Sequence, residues 1–450
     1  MARFHPIDRE TKMLLPSVQE CLPERHLARY VVDVVESLDL SAVEQSYSGR
    51  GSVAFHPEML LALLIYAYAT GIFSSRKIEQ ATYDSLAFRY IACNLHPDHD
   101  TLNSFRQRLG EELAELFVQV LGVAREQRMT RFGTVSLDGT KVHANASRHS
   151  ALSYAHAKKI EVQLQAEVAE LLALADEANR SARPQGLDIP QELARREERL
   201  AAIAEAKAKI EARAAERFAR EQAEYEAKMA ARQAKEEATG KKIGGKKPSA
   251  PTPGPRAKDQ INLTDEASRI MREADGGFEQ SYNAQAMVDT ESMLVVVADV
   301  TQAANDKEQV APALAKLRAL PAGVGCPEQL LGDNGYFSAR NVAICHEAGI
   351  EPLLAVGRDE HHPRWSERFG EPAPPPEDAT PLERMKHRLK STAGKAVYAL
   401  RKQTVEPVFG IVKSVLGFRQ FSLRGLENVR HEWTLVCLAW NLKRMAVLRP

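Results

Sequence analysis

The sequence predicts a mixed α/β protein, its sheet flanked by helices, with an all-helical N-terminal block and a long helical hairpin inserted between strands. Three observations predict it. Apolar residues recur at helical spacing up to about residue 130. Two apolar stripes run through an Ala-, Glu-, Arg- and Lys-rich stretch from 158 to 238. Beyond a basic Gly/Pro linker the period changes to the alternation of strands.

In the N-terminal block, Leu60, Leu61, Leu64, Ile65 and Tyr68 repeat at three and four, the face of a buried helix. SSRKIEQATYDSLAFRYIA then precedes HPDHDTLNSFRQRLGEELAELF, where Asp100 or Thr101 caps a helix whose early turns present Asn103, Arg106, Gln107 and Arg108. Helix, turn and Arg-bearing helix is how a helix-turn-helix unit meets a DNA groove. A helical bundle with a solvated face fits this block equally well. His96 and His99 read as turn and cap residues rather than metal ligands.

The next stretch, GTVSLDGTKVHANAS, is a strand-like run that stops on Asp138 before Gly139. From 158, Leu164, Val168, Leu171, Leu172 and Ala175 make one stripe. Ser181 to Pro190 holds the breakers, and Leu193, Leu200, Ile203, Ile210, Phe218 and Tyr225 make the second, so the pattern is an antiparallel hairpin of helices. Lys241 to Lys258 carries six basic residues and no acid among Gly and Pro, the composition of a tether that is also able to track phosphates.

After the linker, FEQSYNAQAMVD and SMLVVVADVTQA form a hairpin turning at Thr290 and Glu291. A helix starts near Asn305 and Asp306. EQLLGDNGY is a buried strand ending on Asp333, Ser338 caps the following helix, and IEPLLAV is a further strand. Pro363 to Pro381 is loop, and helices close the chain. The predicted segments are therefore 1–130, 131–150, 151–240, 241–260 and 261–450.

Composition excludes some classes of function. Lys plus Arg and Asp plus Glu both number 60, so overall charge points to no polyanionic partner. The distribution does, because Met385 to Pro450 holds thirteen Lys/Arg against three acids, as a phosphate-binding surface would. The five cysteines are scattered without C-x-x-C spacing and read as free thiols of a reducing cytoplasm. MARFHPIDRETKMLLP lacks the apolar core of a signal peptide, and MLLALLIYAYATGIF falls short of the ~20 residues that span a bilayer.

Two distant strands that each end on Asp before a Gly-containing turn would bring Asp138 and Asp333 together at one sheet edge, where α/β proteins bind ligands. Such anions repel unless a cation sits between them, and Mg²⁺ prefers oxygen ligands and works with phosphates. Two ions held by three carboxylates would activate an attacking oxygen and stabilise the leaving oxygen of a phosphodiester. Glu406, the one acid between Met385 and Leu426, is the candidate third ligand. On a continuous helix Tyr398, Lys402, Glu406 and Lys413 share a face. Pro407 sits well only in a first turn, so Thr404 is a candidate cap of a new helix there. Singly, a strand-end Asp reads as a turn residue. Asp289 fits a hairpin turn, Asp306 a helix cap, and Asp299 falls inside an apolar run. Tyr282, Asn283 and Gln285 read either as site lining or as strand polar contacts, and His361 and His362 as solvated loop residues.

FHPEMLLALLIYAYATGIFSSRKIEQA, HPDHDTLNSFRQRL, VSLDGTKVHANAS, INLTDEASRI with YNAQAMVD, LLGDNGYFS and YALRKQTVEPVFGIVKSVLGFRQFSLRG together resemble bacterial insertion-sequence transposases of the DDE class, over most of the chain. The resemblance implies an RNase H-like catalytic domain in segments 131–150 and 261–450, interrupted by the hairpin and linker, behind an N-terminal DNA-binding domain. It implies that Asp138, Asp333 and Glu406 are the catalytic, metal-holding triad for two Mg²⁺ or Mn²⁺ ions. Tyr398, Arg401 and Lys413 look like the accompanying DNA-contacting signature. Four residues separate Arg401 from Glu406 where the usual pattern has three, so Arg401 and Lys402 both remain candidates for the phosphate contact. The implied protein is a cytoplasmic, nucleoid-associated transposase acting as a homodimer on double-stranded DNA, at terminal inverted repeats and target. An RNase H-like nuclease without strand transfer, and a catalytically inactive DNA-binding derivative, are the alternatives.

Overall fold

The computed structural model describes residues 17–449 except 18, 21, 48–53, 178–187, 241–243, 246, 274–275, 322–324 and 358–369. His361 and His362 lie outside the described residues. The chain divides into two compact units, Met1–Asn145 with Ser281–Pro450, and Ala146–Gln280.

The first unit opens with helices α1 (Leu27–Glu36), α2 (Ser41–Gln45), α3 (Pro57–Ala69), α4 (Ser75–Asp84), α5 (Leu86–Ile91), α6 (His99–Leu109) and α7 (Glu112–Glu126). α3 is apolar all round, as a helix with no solvent-facing stripe must be, and its Leu60 to Ala69 are buried throughout. Asp98 caps α6 by accepting from Thr101 N–H at 2.7 Å, so the helix begins earlier than Asp100 or Thr101 would start it.

The second unit holds β2 (Ala151–Ser153) paired with β3 (Gln260–Asn262), and two long helices, α8 (Tyr154–Glu177) and α9 (Ile189–Thr239). Leu164 of α8 packs with Ile203 and Ile210 of α9 and with Leu152 and Ile261 of the small sheet. Lys207 to Glu161 at 2.6 Å and Arg196 to Glu167 at 2.8 Å tie α8 to α9, which supports the antiparallel hairpin read from the two stripes. β4 (Arg269–Arg272) folds back on the first residues of β5 (Phe278–Asp289).

The main sheet combines β1 (Thr134–His143) with β5, β6 (Val295–Thr301), β7 (Gln329–Gly332) and β8 (Glu351–Leu354), in the order β6-β5-β1-β7-β8. β6, β5 and β1 are antiparallel neighbours; β7 and β8 run parallel to β1. Helices α10 (Val310–Arg318) and α11 (Ala339–Glu347) connect the later strands, followed by α12 (Pro381–Lys390), α13 (Thr392–Gly410) and α14 (Leu426–Leu448). The mixed α/β class is as the sequence predicts. α10 starts at Val310, after Asp306 rather than at it, and Ser338 caps α11 through Asn341 N–H at 3.0 Å.

α14 is the central support of this unit. It packs on β6, α3 and α7, and its indoles and amide bond to backbone of β5, of β6 and of the turn between them: Trp433 Nε1 donates to Gln285 O at 2.9 Å, Trp440 Nε1 to Met293 O at 2.8 Å, and Asn441 both accepts from Val295 N–H and donates to Val295 O. Buried backbone groups left unpaired would each cost about 1–3 kcal/mol, so these bonds fix where the helix sits on the sheet. Asp289 closes the β5–β6 turn by accepting from Ser292 N–H and Thr130 Oγ1. Asp299 is ion-paired with Lys316 and Arg430, a structural position rather than a site.

Candidate active site

β1 does not end on Asp138. It continues to His143, because residues Gly139 to His143 keep pairing with β5 from Gln285 back to Ser281. What ends there is the neighbour on the other side, since β7 pairs with β1 only as far as Leu137 opposite Gly332. Asp138 and Asp333 are the next residues on two parallel strands, and the register alone makes them neighbours at the sheet's open notch.

Glu406 comes from α13, which lies against β1 and β7. The Arg401 guanidinium, on the same helix, joins the two ends of the site: Nη1 is 3.1 Å from Asp138 Oδ2 and Nη2 is 2.9 Å from Glu406 Oε1. Its Nε is buried with no hydrogen-bond partner among the described residues. Asp333 turns back on its own chain and accepts from Gly335 N–H at 2.7 Å. Burial is the largest influence on the Asp138 carboxyl and raises its pKa to about 6. The Gly139 N–H and Arg401 oppose that rise, while Asp333 and Asp306 add to it. Among the described residues no group of three or more His, Cys, Asp or Glu side chains is arranged to hold a metal ion. As the side chains stand, Arg401 is the cation between Asp138 and Glu406.

The remaining candidates divide. Tyr398 donates to Gly332 O at 3.4 Å, at the end of β7 beside Asp333. Lys413 reaches Thr140 Oγ1 at 3.1 Å and Lys141 O at 2.6 Å, farther along β1. Lys402 is exposed, so of the two candidates for the Arg position it is Arg401 that faces the acids. α13 runs unbroken through Pro407, and Thr404 is buried mid-helix donating to Leu400 O, not a cap. The helix then widens into a π turn, Ile411–Val415, so the seven residues from Glu406 to Lys413 are not two regular α turns.

In α6, Arg106 is a correction. It is buried, donating to Tyr68 Oη at 3.1 Å, Phe73 O at 3.4 Å and Asn103 Oδ1 at 2.8 Å, and so does not face a groove. Arg108 lies over the Tyr47 ring at 4.4 Å. His99 is 2.8 Å from Glu79, and His96 stacks on Tyr83.

Asp306 is what the sequence reading underrated. Its side chain caps no helix. Instead Oδ1 accepts from Asn283 Nδ2 and Gln285 Nε2, both at 2.7 Å, and Gln285 Oε1 accepts from Tyr336 Oη at 2.6 Å. A usable signal was present: two amides at alternate positions of a buried strand need a partner, and an acid is the natural acceptor. Tyr282, by contrast, is core, edge-on to Phe421.

Two family models match the chain, a transposase domain (DUF772) over residues 16–108 and a transposase DDE domain over residues 376–446. No curated protein and no solved structure matches. The two matches support the resemblance to insertion-sequence DDE transposases at both ends of the chain.

Proposed function

We propose, from a chain that carries these two domains of insertion-sequence DDE transposases, that it is a DNA transposase cutting at element ends and joining them to target DNA through Asp138, Asp333 and Glu406. One observation carries the reading. Three carboxyl-bearing segments far apart in sequence converge at a single sheet notch, where Arg401 spans Asp138 and Glu406 and strand register sets Asp333 beside Asp138. The mixed sheet supports an RNase H-like catalytic domain, and the match at residues 16–108 supports an N-terminal part that binds DNA.

The donor set fits a hard divalent cation. All the ligands are carboxylates, and the pKa of Asp138 is raised in part by its anionic neighbours, which a cation would relieve. Asp138, Asp333 and Glu406 would hold two Mg²⁺ or Mn²⁺ ions, which when bound supply Lewis-acid activation of the attacking oxygen and stabilise the leaving one. Arg401 would then release Asp138 and turn its planar fork to a DNA phosphate, a bidentate geometry that lysine lacks. Lys413 would neutralise a phosphate lying along β1, and Tyr398 would position a nucleotide at the end of β7. Asn103 and Arg108 of α6 would read or neutralise the terminal repeat, with Arg106 holding that helix in place. Two chains on two element ends make the homodimer of this reading.

The test is a labelled element end incubated with Mg²⁺ and scored for nicking and for strand transfer. Asp138→Ala should abolish both, by about 10³-fold or more, while end binding persists. Undiminished cleavage removes Asp138 from the mechanism. Cleavage without joining identifies an RNase H-like nuclease, and binding without cleavage an inactive derivative.

A further inference from the structure

We infer that Asp306 is a fourth carboxylate of this site, a ligand for the divalent ion beside Asp333, held in place by the paired amides of Asn283 and Gln285. The inference rests on the transposase reading and deepens it.

The geometry has three parts. Both amide hydrogen bonds fall on one oxygen, Oδ1 of Asp306, at 2.7 Å each, which fixes the carboxylate and leaves Oδ2 directed elsewhere. That direction is toward Asp333. A Cβ placed on Gly335 would stand 3.7 Å from Asp306 Oδ2 and 2.9 Å from Asp333 Oδ1, so the two carboxylates border the same small gap. Gly139, the residue after Asp138, borders Asp306 on the other side, where a Cβ would fall 2.2 Å from Gln285 Nε2, 2.6 Å from Asp306 Oδ1 and 2.8 Å from Asn283 Oδ1. The glycine of VSLDGT thus makes room for the Asn283, Gln285 and Asp306 cluster, whereas that of LGDNGY leaves space between Asp306 and Asp333.

An independent observation points to a cation. Asn283 is fully buried, yet among the described residues its Oδ1 has no hydrogen-bond partner, and it lies at the same Gly139 contact as Asp306. A buried carbonyl oxygen without a donor is destabilising, and a site of hard oxygen ligands is where such an atom is satisfied by a divalent ion.

The experiment is Mn²⁺ binding to the full chain, read by calorimetry and by the loss of the free-ion paramagnetic resonance signal, with thermal unfolding recorded in the absence of metal. Asp306→Asn keeps an acceptor oxygen for both amides and removes the charge. It should weaken Mn²⁺ binding by about tenfold or more, or remove one ion from the stoichiometry, with metal-free unfolding unchanged. Should Asp306→Asn fail to fold, Asp306→Ser, smaller and still able to accept from the amides, carries the same expectation. If Asp138→Asn and Asp333→Asn lose Mn²⁺ while the Asp306 variant binds as the parent does, Asp306 is structural and this inference is overturned. If none of the three changes Mn²⁺ binding, the metal reading of the notch fails, and this inference with it.

Discussion

Asp138 carries opposing demands in one side chain. Only 17% of it is exposed, so the charged form is disfavoured, and Arg401 3.1 Å away recovers part of that cost but not all. With a folded pKa of about 6 against an ordinary 3.8, the group binds its proton more tightly in the native state. Below 3.8 both states are protonated and the residue is neutral in its effect, whereas as pH rises through about 6 the fold must hold a partly buried anion. Asp138→Asn should therefore raise metal-free stability near neutral pH by roughly 1–3 kcal/mol, the gain fading toward pH 4, as read from urea midpoints across that range. A variant equally or less stable at neutral pH would contradict the burial argument. The same residue shows what the chain discloses about itself. Asp138 and Asp333 are legible because an acid is out of place in an apolar strand-like run. Asp306 is not, because Asn-Asp ahead of a helix is also the pattern of a cap, and its amide partners stand 23 and 21 residues earlier, on a strand.

At the scale of elements, the site depends on where α13 begins, since that helix brings Tyr398, Arg401 and Glu406 together. Ser391 caps α13 through Gly394 N–H at 3.1 Å and also ends α12, leaving the two helices almost no separation. A Cβ at Gly394 would overlap the Arg388 carbonyl oxygen, main chain that cannot swing aside. Gly394→Ala gains helix propensity, worth at most about 1 kcal/mol, but must push α12 off α13, which costs about 1–3 kcal/mol or more. We expect net destabilisation in urea unfolding and a matching loss of end cleavage as Arg401 and Glu406 are displaced from the notch. An alanine variant as stable as the parent would mean that the helices accommodate the methyl group. Helix and strand periods were readable here because amphipathic faces leave a spacing in the sequence. The continuous helix through Pro407 was not, because packing of Val405, Val408 and Phe409 outweighs the missing N–H. Nor does a charge count separate internal from external cations. Lys443 binds Ala69 O, Arg444 binds Ser292 O and Arg430 pairs with Asp299, so part of the basic surplus of the C-terminal segment holds the unit together.

Across the whole molecule, the same helix α14 that supports the sheet also receives the N-terminal helices. Glu432 is buried, its carboxyl held above its ordinary range by that burial. It accepts from Ser422 N–H, Leu423 N–H and Tyr68 Oη, and Tyr68 in turn accepts from Arg106. Helices α3 and α6 are thereby tied to the end of the chain without help from the second unit. The second unit enters between two residues that are already partners: His143 pairs with Ser281 across β1 and β5, and Asn145 is held by Ser422 O and Arg424. An insertion whose two ends leave a paired rung of a sheet can be exchanged for a turn, because closing a short loop there costs little entropy. Replacing residues 146–280 with a short Gly-containing turn should leave the first unit folding in one cooperative transition, with stability within roughly 1–2 kcal/mol of its value in the full chain. Nicking of an element end should survive, since Asp138, Asp333, Glu406 and Asp306 all lie in the first unit. Loss of cooperative unfolding in the shortened chain would show that the helical hairpin completes the core of the first unit. Intact folding with loss of strand transfer alone would assign the hairpin to assembly of the DNA complex.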